Sequence, residues 1–145
     1  MELLANKLKE MVSAWPNISI HRHQFGASEF RFDKAEVGHV HFWGDVDIPF
    51  TRKIRDVLLQ EHRANEHRWV PESGWTTFHV SNEGDIQHAL WLLRLSYLRF
   101  AVKQASNPRA LMEDEAEKLR LSPALSSLLM QFVPQTAMSE KLIAT

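Results

Sequence analysis

Leu3, Leu4, Leu8, Met11 and Val12 recur at helical spacing, which predicts a short amphipathic helix over residues 2–13 that closes at Trp15-Pro16. From Ile18 the period changes. Ile18 and Ile20 alternate with Ser19, His21 and His23, and Phe30 and Phe32 alternate with Glu29, Arg31 and Asp33. This pattern predicts two half-buried strands joined by a turn at Gly26-Ala27-Ser28. Val37 to Phe42 predicts a third strand and Val46 to Ile48 a fourth, after Gly44-Asp45; connections this short favour an antiparallel meander. Phe50, Ile54, Val57 and Leu58 then return to helical spacing, with a start near Pro49 or Thr51 and with Arg52, Lys53, Arg55 and Asp56 on the opposite face. Trp69-Val70 and Trp75 to Val80 read as two more strands around the turn Pro71-Glu72-Ser73-Gly74.

The longest predicted element is a helix over about Glu83 to Gln104, with Ser81 or Asn82 able to cap it and Glu83 and Asp85 favourable in its first turn. Ile86, Leu90, Leu93, Tyr97 and Ala101 make one apolar stripe, and Trp91, Leu95, Leu98 and Val102 a second. Two stripes need two partners. A sheet can take one, and the rest of the chain can take the other: Asn107-Pro108 and Ser122-Pro123 each place a capping residue before a proline, predicting helices over 108–120 and 123–133. A homodimer contact through the second stripe is the competing explanation. The last ten residues are expected to fray. The expected architecture is α+β and a single domain over 1–145: a mainly antiparallel sheet of five or six strands, one long helix on it, an N-terminal helix, and a helical C-terminal extension over 105–145.

Composition narrows the function more by exclusion than by assertion. Seventeen basic against 18 acidic residues give a net charge of −1, so no global field favours nucleic acid or an anionic membrane. Arg52, Lys53, Arg55, Arg63 and Arg68 read as a solvated face. The chain has no cysteine, which removes disulfides, thiolate nucleophiles and cysteine-based metal centres and fits a reducing compartment. No apolar run reaches the length of a membrane span, and the charged start around Lys7, Lys9 and Glu10 is unlike a signal peptide, so the expected location is the cytoplasm. There is no G-x-S-x-G elbow, phosphate-binding loop, G-x-G-x-x-G or H-E-x-x-H. Hydrolase, kinase and nucleotide-dependent dehydrogenase readings lose their usual support.

What stands out is histidine. Side chains alternate along a strand, so Val37, His39, His41 and Trp43 are expected on one face, with His21 and His23 together and Trp75, Thr77 and His79 together. An open sheet face wetted by tolerable histidines is the plain structural explanation. The apolar company of Trp43 and Val37 argues instead for a partly covered pocket, where burial and neighbours tune an imidazole. His39 and His41 with His67, or with Asp45 or Asp47, also have the make-up of an open three-ligand site for zinc or iron. Trp43, Trp69 and Trp75 cluster around these segments and offer stacking surface to a flat aromatic or hydrophobic small molecule.

The succession Gly38-His39-Val40-His41, Asp47-Ile48-Pro49, His67, Ser73-Gly74-Trp75-Thr76-Thr77-Phe78, then Asn82-Glu83-Gly84-Asp85 opening Ala89 to Tyr97, resembles the luciferase-like domain family over roughly residues 18–100. That family comprises mostly bacterial proteins and includes the catalytic part of fungal luciferase. The resemblance implies oxidation of a hydroxylated, enolisable ring by molecular oxygen without metal or organic cofactor. It also implies His39, His41 and His67 as the catalytic residues: one of the first pair as base, the other orienting it, and His67 stabilising developing negative charge. Trp43, Trp75, Asp45, Asp47 and His79 are the expected ligand-binding residues. One departure is that Ala64-Asn65-Glu66 replaces the glycine- and tryptophan-containing approach to the later histidine of the fungal proteins. A ligand-binding or protein-interaction module without catalysis is the alternative from a different class.

Overall fold

In the computed structural model, which describes residues 2–135, six strands form one sheet in the order β1-β2-β3-β4-β6-β5, with every neighbouring pair antiparallel. The elements run α1 (Glu2–Ser13), β1 (Ile18–Arg22), β2 (Ser28–Phe32), β3 (Ala35–Val40), β4 (Asp45–Pro49), α2 (Arg52–Gln60), β5 (Asn65–Glu66), β6 (Trp75–His79), α3 (Glu83–Gln104), α4 (Pro108–Lys118) and α5 (Pro123–Met130). The α+β class follows. The expected fraying of the last ten residues lies outside the described residues. No helix of the described residues is long and apolar enough to cross a membrane.

Two compact units divide the chain at residues 96 and 97, inside α3. In the first, α1 packs on β1 and β2, and α2 packs on β6. The Thr51 side chain accepts from the Ile54 N–H at 3.2 Å and so starts α2 where an apolar stripe with buried Ile54 and Leu58 begins. Asn82 does the same for α3, accepting from the Asp85 N–H at 3.1 Å, while the Asp85 carboxylate turns back onto the Ser81 N–H at 2.9 Å. The sheet meets α3 closely: a Cβ on Gly38 would stand 2.8 Å from Leu93 Cδ2, and the Ser96 hydroxyl donates to the Val37 carbonyl at 2.7 Å. In the second unit α4 and α5 are in contact. Asn107 and Ser122 cap them, each just ahead of a proline in the first turn, as the sequence predicts.

Three details differ from the sequence reading. Trp69-Val70 is not a strand; both residues are exposed, and the short strand beside β6 is Asn65–Glu66, two polar residues without an alternating pattern. Ile20 is 41% exposed rather than covered, because β1 is an edge strand and alternation alone does not say which side has a partner. The third strand ends at Val40, and its pairing with β2 shifts register after Phe30–Gly38, so that Arg31 opposes Glu36 and Val37 is bulged out of the alternation.

Candidate functional site

Directly opposed residues of antiparallel strands share a face, so the observed register carries one row of side chains across all six strands. The row reads His21, Glu29, His39, Asp47, Thr77 and Asn65, from β1 to β5. Asp47 is its centre. Oδ2 of Asp47 lies 3.1 Å from His39 Nε2, 2.9 Å from His41 Nε2 and 3.6 Å from His67 Nε2, and its Oδ1 accepts from the Thr77 hydroxyl at 2.7 Å. All three histidines and Asp47 are buried. The structure therefore brings together His39, His41 and His67, which stand up to 28 positions apart, and places Asp47 among them rather than at the margin.

The second nitrogens separate the roles of the rings. His39 Nδ1 meets Glu36 Oε2 at 2.6 Å, a contact that the bulge creates, since regular alternation would send residues 36 and 39 to opposite faces. His67 Nδ1 accepts from the Trp69 backbone N–H at 3.2 Å, which puts the proton of the neutral ring on Nε2. His41 Nδ1 is buried without a hydrogen-bond partner. Burial would push His39 down, but the carboxylates of Asp47 and Glu36 outweigh it and raise its pKa to about 9. For His41 burial wins over the Asp47 contact, and its pKa falls below the ordinary 6.5. Burial of Asp47 acts upward, yet its bonds from His39, Thr77 and His41 bring it to about 2.

Aromatic rings enclose this centre. The His41 ring stacks on Trp43 at 4.2 Å, His39 stacks on His23 at 4.2 Å, and Trp75 lies 5.5 Å from His39 and 5.9 Å from His67. Asp45 accepts from Trp43 Nε1 at 2.9 Å and pairs with His79 Nδ1 at 2.8 Å, holding the half-exposed His79 beside the centre. Two cavities of about 250 and 230 Å3 share His41, His67 and Trp69; Trp75 lines the first, and Trp43, Asp47 and His79 line the second. A larger hollow of about 630 Å3 between Leu59, Arg63 and His88 contains none of the converging imidazoles, so the candidate site is the smaller pair. Sequence reasoning missed Glu36, Thr77 and the structural role of Asp47. The bulge that aims Glu36 has no signature in the alternation, whereas the Asp47–Thr77 pairing follows once the register is known.

Residues 34–96 match the model of the Luciferase domain family. This segment is a luciferase-like domain. It begins just before β3 and ends within α3, so it contains Glu36, His39, His41, Asp47, His67 and Thr77, while β1 and β2 precede it. No curated protein and no solved structure matches the chain.

For metal, Nε2 of His39, Nε2 of His41 and a carboxylate oxygen of Asp47 lie within 4.8 Å of one another, as do ligand atoms of His23, Glu36 and His39. The second group is the poorer: His23 and His39 lie face to face at 14°, so the planes of the two rings do not meet within bonding distance of both, as ligation by both requires.

Proposed function

We propose that the luciferase-like domain is the catalytic part of a small oxygen-using enzyme acting on an enolisable aromatic or heterocyclic compound. The observation that carries this reading is the convergence of three buried imidazole Nε2 atoms on one carboxylate oxygen beside tryptophan-walled cavities. Three desolvated histidines and an aspartate are costly to gather in a sheet for stability alone, and such clusters gather at reactive sites. The family match supports an oxygenase-type reaction.

In the proposed reaction a flat ring lies against Trp75 and Trp69, with its enol oxygen toward His67. The enol proton passes to the His39–His41–Asp47 cluster, and the N–H at His67 Nε2 stabilises the enolate oxygen. The enolate carbon forms a C–O bond to molecular oxygen; the substrate loses two electrons, oxygen is reduced to the peroxide level, and the proton returns to it to give a hydroperoxide. No external reductant enters. The cavity sizes, below the ~300–1,000 Å3 of drug-sized pockets, fit a one- or two-ring substrate.

The test is oxygen uptake with 3-hydroxy-4-pyrone and 3-hydroxychromone, alongside quenching of tryptophan fluorescence. Uptake that depends on protein and is lost in His67→Ala supports the reading. Saturable quenching without oxygen uptake removes it in favour of the ligand-binding module.

A further inference from the structure

We propose that His39, His41 and Asp47 bind a first-row divalent metal ion, with His67 donating a hydrogen bond from Nε2 toward an open position on that ion. The inference deepens the reading above, rests on its placing the chemistry at this centre and replaces its base: with the ion bound, the Nε2 lone pairs of His39 and His41 face the ion and no longer take the enol proton.

Geometry carries it. A metal with ligand bonds of about 2.1 Å at right angles sets neighbouring donor atoms about 3 Å apart. That is the spacing of both imidazole nitrogens from Asp47 Oδ2, 3.1 and 2.9 Å. The three side chains are 4 to 8% exposed, so the donors are already stripped of water. Two of them come from directly paired positions of adjacent central strands, which fixes their separation through the backbone.

The groups behind the donors fit equally well. A metal-bound histidine characteristically donates its other N–H to a carboxylate, and a metal-bound carboxylate is itself hydrogen-bonded. Glu36 serves His39 Nδ1 at 2.6 Å, and Thr77 serves the outer oxygen of Asp47 at 2.7 Å, so these two of the three ligands keep their inner atoms for the ion. Nothing holds the His41 proton on Nε2 except Asp47, because Nδ1 has no partner. His67 differs. Its Nδ1 lone pair is taken by the Trp69 N–H, so its Nε2 carries hydrogen and has no lone pair for a metal. Among the metal sets expected from sequence this selects the one with Asp47 over the one with His67, and His67 becomes a donor to whatever oxygen occupies the open side. Two imidazoles and one carboxylate with vacant positions is the ligand set suited to iron(II) and oxygen chemistry.

The experiment uses untagged full-length protein, stripped with a chelator and then titrated with cobalt(II), with zinc(II) and, without oxygen, with iron(II). The expected result is about one equivalent bound, with visible cobalt absorption. Glu36→Gln should weaken binding by about 10- to 100-fold, whereas His67→Ala should keep the full stoichiometry. Asp47→Asn should abolish binding; because that change also alters a buried hydrogen-bond centre of the sheet, Glu36→Gln and His67→Ala, checked by circular dichroism, decide the matter. Folded wild type that takes up no stoichiometric metal overturns the proposal, as does cobalt binding of equal affinity in Glu36→Gln. Oxygen uptake by protein that binds no metal would keep the oxygenase reading and overturn this one. One equivalent bound without oxygen uptake would do the reverse.

Discussion

Gly38 tests whether α3 sets the position of the site. It lies in β3 next to His39, and a Cβ there would stand 2.8 Å from Leu93 Cδ2, 3.0 Å from the Asp47 carbonyl oxygen and 3.5 Å from Ile48 Cγ1. Ordinary carbon contacts are about 3.5–4.0 Å, so Gly38→Ala overlaps the Leu93 methyl by roughly an ångström. Leu93 is fully buried, and the Asp47 carbonyl on the other side is backbone and cannot yield. Overpacking of this kind costs about 1–3 kcal/mol, and the smaller entropy of the unfolded alanine chain offsets about 0.4–1 kcal/mol of it. The expected net loss is about 0.5–2 kcal/mol, read from urea unfolding. Leu93→Ala alone should cost about 2–5 kcal/mol through its cavity. In the double variant the new methyl enters that cavity, so the combined cost should fall short of the sum by at least ~0.5 kcal/mol. Additive costs, or a Gly38→Ala protein more stable than wild type, would refute the claim that glycine is there to admit the helix.

Gly74→Ala should be worse than Gly38→Ala, beyond about 3 kcal/mol and into the range reserved for broken packing, because its Cβ would meet the Phe50 carbonyl at 1.8 Å and backbone cannot rotate away; comparable unfolding midpoints for the two variants would contradict this. Trp69 is 64% exposed, so Trp69→Ala should leave stability within about 0.5 kcal/mol while weakening a flat probe by roughly threefold to tenfold; unchanged binding in a quenching titration would remove Trp69 from the ligand wall. The Asp85 pKa lies below its ordinary 3.8, chiefly through the Ser81 N–H, so its stabilisation is complete above that value and is lost as pH falls through the lower folded value. Protection of the amides at the start of α3, relative to their intrinsic exchange rates, should therefore fall on acidification below pH ~4 in wild type, and an equal loss of protection in Asp85→Asn would show that the carboxylate is not responsible.

The long helix α3 was legible because two independent signals agreed, apolar spacing and a capping residue at Asn82, whereas α1 and α2 rested on spacing and α4 and α5 chiefly on Asn107-Pro108 and Ser122-Pro123. His39, His41 and His67 were legible as chemistry for a different reason, their clustering with tryptophan in β-prone segments. Asp47 was one of several carboxylate candidates, not told apart from Asp45, until register placed it opposite His39. Glu36 was not legible at all. Its reach to His39 depends on a bulge at Val37, and nothing in Ala35 to Val40 announces where alternation breaks. Trp69-Val70 misled because a β-prone apolar pair need not be paired; here it covers a cavity edge while polar Asn65–Glu66 makes the strand. The division of roles between His67 and the other two histidines turns on a backbone N–H, which sequence does not show.

The two faces of this sheet are not independent designs. A strand slipped by one residue sends every side chain to the opposite face. The register that lines up Glu29, His39, Asp47 and Thr77 is therefore the same one that turns Gly38 and Ile48 away from them, with Gly38 against Leu93. Burial of the α3 face supplies the non-directional free energy that selects this register, and the polar row accepts the geometry that results. A cluster of buried imidazoles and a carboxylate contributes little to choosing a fold, since its desolvation opposes its pairing. It follows that the packing face fixes the inter-strand separations at the site, and that only the bulge is free to adjust them, which it does by sending Glu36 to His39. Substitutions at Gly38 or Ile48 should therefore disturb the His39–Asp47 spacing without touching either residue's chemistry.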